Sequence, residues 1–232
     1  TGASGALAKP VIKWLISQGA GEIDMLSRSS TAELIDQLHA EIGDISSKLN
    51  AVSGDVTSVK AVKSVVDDSS KLPLKGVFHL AGSLRDGLLE KLSESDFRHV
   101  LAPKIEGVLN LDACTSNLEL DHFVVFSSAS SVLSTPGQAN YAMANAYLDA
   151  FIAHRRHAGK PGISLSWGPF SGGMAAGLEA HFEGQGIQLL DVEVFDQLEA
   201  LLSDDSLNHI MVMDADWTTY SQTHDNPGML SL

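Results

Sequence analysis

Tyr141 and Asn145 stand four residues apart in an alanine-rich stretch (NYAMANAYLDA), so on a helix they share one face, one turn apart. A phenol is a proton donor whose ordinary pKa of about 10 must be lowered by a nearby cation before it exchanges protons readily at neutral pH. No lysine or arginine adjoins this tyrosine in sequence. Upstream, residues 122–128 (HFVVFSS) are an apolar, aromatic and β-branched run ending in two hydroxyls, which reads as a buried strand. Ser134, Pro136 and Gly137 then punctuate a loop, and helical spacing begins at about Gln138 and includes Leu148 and Phe151. The open question is what charge serves Tyr141.

The elements that must position these groups alternate along the chain. Ile23–Leu26 reads as a strand, and Thr31–Ile42 as a helix opened by a capping-box-like TAEL. Leu49–Ser53 is a weaker strand, Val59–Val66 a helix and Lys75–Leu80 a strand; Glu94–Thr115 is a long helical region expected to break near Pro103. Beyond the Tyr141 helix come a strand at Ile163–Trp167, a glycine-rich loop from Gly168 to Gly177, a helix at Val192–Leu202 and a last strand at His209–Met213. Strands separated by helices imply right-handed crossovers and an α/β fold with a mostly parallel, doubly wound sheet.

With 232 residues and 44% hydrophobic content, the chain can bury the core of one large domain, placed at 1–221, with 222–232 as a C-terminal linker. The net charge of −14 argues against nucleic acid or an anionic membrane as partner. A single cysteine, Cys114, excludes an internal disulfide and suits a reducing compartment. With neither a membrane-spanning run nor a signal-peptide pattern, the expected location is cytoplasmic. His154 and His157 beside Arg155 and Arg156 read as a solvated helix end, so no metal is expected. The aspartate pairs at 67–68 and 204–205 read as surface or turn residues, and Cys114 as a buried helix residue.

A second constellation points to a nucleotide. TGASGALA is a Gly/Ala-rich turn running into a helix that stops at Gly19, where backbone N–H groups of Thr1, Gly2, Ser4, Gly5, Ala6 and Leu7 can approach a pyrophosphate. Ala3 and Ala8 fill places where glycine is common. Ser27-Arg28 ends the next strand, where Arg28 can pair with a ribose 2′-phosphate. Asp55-Val56 ends the third strand, placed for adenine, and Ala81-Gly82 ends the fourth, where a cofactor can pass close to backbone. Ligands of open α/β sheets bind at such carboxyl ends. A phosphate turn of this type follows a central strand paired on both sides. The first strand is therefore expected to be missing, and residues 1–232 to be a fragment of a longer polypeptide.

These pieces, in this order, resemble the ketoreductase domain of a polyketide synthase, a member of the short-chain dehydrogenase/reductase superfamily. The resemblance is carried by TGASGALA, MLSRSS, SGDVTS, GVFHLAGSLRDGLL, VLAPKIEGVLNL, FVVFSSASSVLSTPGQANYAMANAYLDAFIAHRR, SLSWGPFSGGMAAGL and VMDADW. It implies a Rossmann-like fold, with a non-catalytic structural half upstream in the longer polypeptide. It also answers the question about Tyr141. In this family an asparagine, here Asn145, takes the place four residues after the tyrosine, and the lysine comes from an earlier helix, here Lys104.

Ser128, thirteen residues before Tyr141, matches the family's serine. The implied chemistry is ketone reduction: Tyr141 supplies the proton, Lys104 lowers its pKa, Ser128 bonds the carbonyl oxygen, and Asn145 positions water or the lysine in a relay. The implied cofactor is NADPH. The implied partners are an acyl carrier protein bearing a phosphopantetheine-linked β-ketoacyl chain and other synthase domains in the same polypeptide. Gly168 and Pro169 are expected beside the nicotinamide, and Phe170–Gly177, with Phe170 and Met174, as a mobile substrate lid. Asp86, Pro136 and Asn140 match the markers of the D-configured product class, although Arg85 replaces the middle aspartate of the family's Leu-Asp-Asp signature, and Leu133 stands where the opposite class has a tryptophan. Fatty-acid synthase reductase domains and free-standing carbonyl reductases share much of this pattern. A non-catalytic cofactor-binding module is the reading from another class; intact Ser128, Tyr141 and Lys104 argue against it.

Overall fold

The computed structural model describes residues 1–29, 31–43, 45–68, 72–133 and 135–223. The linker assigned to 222–232 lies mostly outside these residues, as does Ser134. In chain order the elements are α1 (Ala8–Ser17), β1 (Glu22–Ser27), α2 (Ala32–Ile42), β2 (Lys48–Ser53), α3 (Val59–Asp68), β3 (Gly76–His79), α4 (Glu94–Cys114) and β4 (His122–Ser128). They continue with α5 (Ala139–His157), β5 (Ile163–Trp167), α6 (Glu179–Gly184), β6 (Ile187–Gln188), α7 (Leu198–Leu202), β7 (His209–Val212), β8 (Asp214–Ala215) and α8 (Trp217–Thr223).

Strands β3, β4, β5 and β7 form one parallel sheet in that order, β1 pairs in parallel with β2, and β6 pairs antiparallel with β8. The alternation in β4 distributes the core to both faces. Phe123 and Val125 pack with Val62 of α3, Val108 of α4 and Leu148 and Ile152 of α5. Val124 and Phe126, pointing the other way, pack with Val11 of α1, Leu165 of β5 and Leu198 of α7. Helices on both faces explain why the middle of β4 reads as a continuous apolar run and why β5 is buried at every position although serines alternate along it. Among the described residues no strand lies between β1 and β3. Their facing sides, including Met25, Leu26, Val77 and Phe78, border a cavity of about 740 Å³. At one end of it Thr1 donates to the Phe78 carbonyl at 2.7 Å and accepts from Leu80 N–H at 3.2 Å.

Three local expectations change. Helix α4 runs unbroken through Pro103. Its missing N–H leaves the His99 carbonyl without an intrahelical donor, and the Ser83 hydroxyl supplies one at 2.8 Å. The TAEL start is not a capping box: Thr31 makes no side-chain cap, and its hydroxyl is buried without a hydrogen-bond partner. Glu33 sits one residue short of the position from which it would reach back, so the reciprocal bond does not close. Residues 192–202 are a 3-10 segment, Val192–Gln197, leading into the short α7.

Candidate functional site

The carboxyl ends of β3, β4 and β5, together with the turn before α1, surround a cavity of about 410 Å³. Gly2, Gly5, Ala6 and Leu7 form one side of its mouth. Gly2 has φ +72°, and a Cβ there would stand 2.6 Å from the backbone nitrogen of Ala81, so the turn lies against the end of β3 only because this residue is glycine. Ser27 Oγ donates to Ser4 Oγ at 2.7 Å, tying the turn to the end of β1. Arg28 follows on the surface and makes no ion pair among the described residues. Asp55 Oδ1 accepts from both the N–H and the hydroxyl of Thr57, each at 2.9 Å. The Val56 side chain is core, and its carbonyl accepts from Asn110 Nδ2 at 2.9 Å. These residues fit a dinucleotide: a turn of small residues against a β3 end that tolerates no side chain, with a free guanidinium at the end of β1.

The groups expected to do chemistry meet on the other side of the cavity. Lys104, Ser128 and Tyr141 all line it, from α4, the end of β4 and the first turn of α5. The buried Lys104 donates from Nζ to the Phe126 carbonyl at 2.8 Å, and Nζ lies 5.7 Å from the centre of the Tyr141 ring. Burial lowers its pKa to about 8, against the opposing pull of Asp149. Its stem passes Gly82, where a Cβ would come within 3.2 Å of Lys104 Cε. Burial raises the Tyr141 phenol, while hydrogen bonds from Asn145 and Ser128 pull the other way. Ser128 Oγ accepts from Ser130 N–H at 3.2 Å, so its own O–H is the donor that it turns toward the Tyr141 phenol and the cavity. Asn145 is fully buried: Nδ2 donates to the Tyr141 carbonyl at 2.8 Å, and Oδ1 has no protein partner. Unlike the other three, Asn145 does not line the cavity.

On the substrate side, Leu133, Pro136, Gly168, Pro169, Phe170 and Met174 line the cavity. Asp86 and Asn140 do not. Asp86 accepts from Gln138 Nε2 at 2.9 Å. Asn140 is buried and bridges, donating to the Arg85 carbonyl and accepting from Tyr141 N–H, both at 2.8 Å. Together they fasten the segment after β3 to the start of the tyrosine helix. The Phe170 ring stacks on Phe195 at 5.4 Å and packs on Trp167 at 5.6 Å, at the base of the loop. The glycine-rich part beyond it, with positive φ at Gly172, Gly173 and Gly177 and an exposed Met174, is the segment that overhangs the cavity.

Several contributors were not singled out from sequence. His79 is fully buried, bonds Thr1 Oγ1 through Nδ1 at 2.7 Å and lies against Gly107, where a Cβ would stand 2.8 Å from its ring. Burial, with repulsion from Lys104, lowers its pKa to about 3, so it is neutral beside the lysine. Phe182 and Tyr220 reach the cavity from α6 and α8, short elements with no readable period. The position of His79 at the end of an apolar strand was the available signal.

Fold and site position together define a Rossmann-type α/β reductase. A family model described as "KR domain" matches residues 1–172. The chain is 34% identical over 194 residues to a phenolphthiocerol/phthiocerol polyketide synthase of Mycobacterium tuberculosis, covering 83% of this chain and 9% of that protein. It is 42% identical over 179 residues to polyketide synthase GfsA of Streptomyces halstedii, covering 75% of this chain and 2% of that protein. Among solved structures, the ketoreductase from the first module of phoslactomycin biosynthesis in Streptomyces sp. HK803 superposes with TM-score 0.87 at 31% identity, over 99% of this chain and 54% of that one. The chain thus spans a small part of the curated synthases and about half of the solved ketoreductase chain. It belongs to the KR domain family, the keto-group oxidoreductase domains of polyketide synthases within the short-chain dehydrogenase/reductase superfamily. No described helix is long and apolar enough to cross a membrane.

Proposed function

We propose that this domain uses NADPH to reduce the β-keto group of an acyl chain, held as a phosphopantetheine thioester on an acyl carrier protein, to the D-configured β-hydroxyl. The observation that carries this reading is the buried Lys104 ammonium 5.7 Å from the Tyr141 ring centre, at a cavity that Ser128 also lines. The nicotinamide, when bound, supplies the hydride to the carbonyl carbon. Tyr141 gives its phenolic proton to the carbonyl oxygen as negative charge develops there. The Ser128 hydroxyl donates a hydrogen bond to the same oxygen and keeps its proton, and Lys104 favours the phenolate that remains. The open Oδ1 of Asn145 accepts from a water or from Lys104 when the phenolate is reprotonated. Thr1, Gly2, Ser4, Gly5, Ala6 and Leu7 hold the pyrophosphate, Arg28 the 2′-phosphate, and Asp55, Val56, Ala81, Gly82, Gly168 and Pro169 the remainder of the cofactor. The carrier-protein substrate and neighbouring synthase domains are argued from the multidomain relatives.

The test is loss of NADPH absorbance on adding a decalone or a β-ketoacyl N-acetylcysteamine thioester. Turnover by wild type and none by Tyr141→Phe supports the reading. NADPH binding without turnover on either substrate leaves only a cofactor-binding module.

A further inference from the structure

Lys104 belongs to a helix with a defect one residue before it. Pro103 has no N–H to give the His99 carbonyl, four residues back, and its ring crowds that carbonyl. Such a defect ordinarily kinks a helix or admits water. Here the acceptor is taken by the Ser83 hydroxyl at 2.8 Å, reaching across from the segment that leaves β3. Ser83 directly follows Gly82, whose missing side chain gives room to the Lys104 stem; a Cβ there would stand 3.2 Å from Cε and 3.6 Å from Nζ. One dipeptide therefore does two things to the same lysine: Gly82 opens its path, and Ser83 closes the backbone gap beside its Cα.

We propose that Ser83 is a positioning residue for the reduction. Its hydroxyl replaces the hydrogen bond that Pro103 cannot make, and so fixes the turn of α4 from which Lys104 enters the cavity. The inference rests on the assignment of Lys104 as the charge partner of Tyr141. Ser83 touches neither the cofactor turn nor the catalytic hydroxyls in the described contacts, so its effect reaches the chemistry only through the helix.

The geometry gives a specific test in the full chain, because the missing donor can be restored on the helix itself. Ser83→Ala is expected to lower kcat about three- to tenfold while the KM for a decalone and the Kd for NADPH stay within about twofold; a lost neutral hydrogen bond converts to a change of this size. Ser83→Thr keeps the hydroxyl and is expected to recover most of kcat. Pro103→Ala restores the N–H to the His99 carbonyl, so Ser83→Ala added to it is expected to cost no further kcat, a full coupling in the double-mutant cycle. Additive losses in that cycle, or a Ser83→Ala effect on thermal stability with kcat unchanged, would overturn the proposal. Lys104→Met separates the layers: if it retains turnover the lysine assignment itself fails, whereas its loss together with an additive Ser83/Pro103 cycle defeats the positioning role alone.

Discussion

Lys104 and Tyr141, 37 positions apart on separate helices, meet at the edge of one cavity, with the lysine Nζ 5.7 Å from the centre of the phenol ring. This supplies the cation that the sequence around Tyr141 lacks. It also sets a pH dependence. Burial lowers Lys104 to about 8 and raises Tyr141, so both are predominantly protonated at neutral pH. Asp149 pulls the lysine the other way, and the neutral His79 adds no charge. Turnover in the reducing direction is expected to fall as pH rises past about 8, as the ammonium is lost. Single-turnover rates from pH 6 to about 10 check this; a flat profile through the alkaline range contradicts it.

The same burial has a stability consequence of opposite sign. With its folded pKa below the ordinary 10.5, Lys104 binds its proton more weakly in the native state than in the unfolded chain. Stability from this group is therefore present above pH 10.5 and is lost as pH falls toward about 8. Lys104→Met removes that titration. The stability difference between the variant and wild type is expected to favour the variant below pH 8 and to shrink between 8 and 10.5. Urea unfolding of both proteins across that window reads it directly; a pH-independent difference would mean the lysine is not buried as described.

Tyr141→Phe keeps the ring and removes the proton donor, so it is expected to fold and bind NADPH normally while losing about 10²–10⁴ in turnover. Ser128→Ala is expected to lose less, about 10–10², because Tyr141 still serves the same oxygen. Matched kcat measurements and NADPH fluorescence titrations decide both. Near-normal turnover in the phenylalanine variant removes the phenol from the mechanism.

Arg28 is exposed and unpaired among the described residues, one position past the end of β1. If it meets the 2′-phosphate, Arg28→Ala is expected to weaken NADPH by about 1.5–3 kcal/mol, roughly 10–150-fold, and to leave NADH unchanged. Equal NADPH affinity in the two proteins moves the phosphate contact elsewhere.

What the sequence made legible follows from period and punctuation. The apolar run HFVVFSS marked β4, and its alternation put Phe123 and Val125 against one layer of helices and Val124 and Phe126 against the other. Gly2 was legible because only glycine fits its φ and its distance from Ala81. The lysine was located by resemblance, since nothing in its own neighbourhood distinguishes it from a solvated helix residue. Pro103 misled, because a proline rule applied to one helix cannot see a hydroxyl sixteen residues upstream of the carbonyl it serves. The stacking of Phe170 on Phe195 at the base of the glycine-rich loop was not legible, because no periodicity links a loop residue to a partner twenty-five positions on. Elements α6, β6 and α8 are too short to show a period.

On the proposed reading, the stereochemical outcome is set by where the acyl-phosphopantetheine arm enters. Leu133 and Pro136 line the cavity on the side of the tyrosine loop, whereas Asp86 and Asn140 act one step away. Asp86 holds Gln138, and Asn140 holds both the Arg85 carbonyl and the N–H of Tyr141. These bonds clamp the segment after β3 against the start of α5, so that segment walls one side of the entrance, and Arg85 in place of an aspartate leaves the clamp intact because only its carbonyl is used. A wall fixed on one side presents one ketone face to the nicotinamide, and a difference of about 2.7 kcal/mol between the two faces gives roughly hundredfold selectivity. The D-configured alcohol is expected from a β-ketoacyl thioester. Asn140→Ala is expected to erode that excess more than it lowers turnover, because it loosens the wall without removing the proton donor. Chiral chromatography of the hydroxy thioester made by both proteins reads the outcome: predominantly L-configured product from wild type, or an unchanged D excess in the variant, would mean that the clamp does not govern entry.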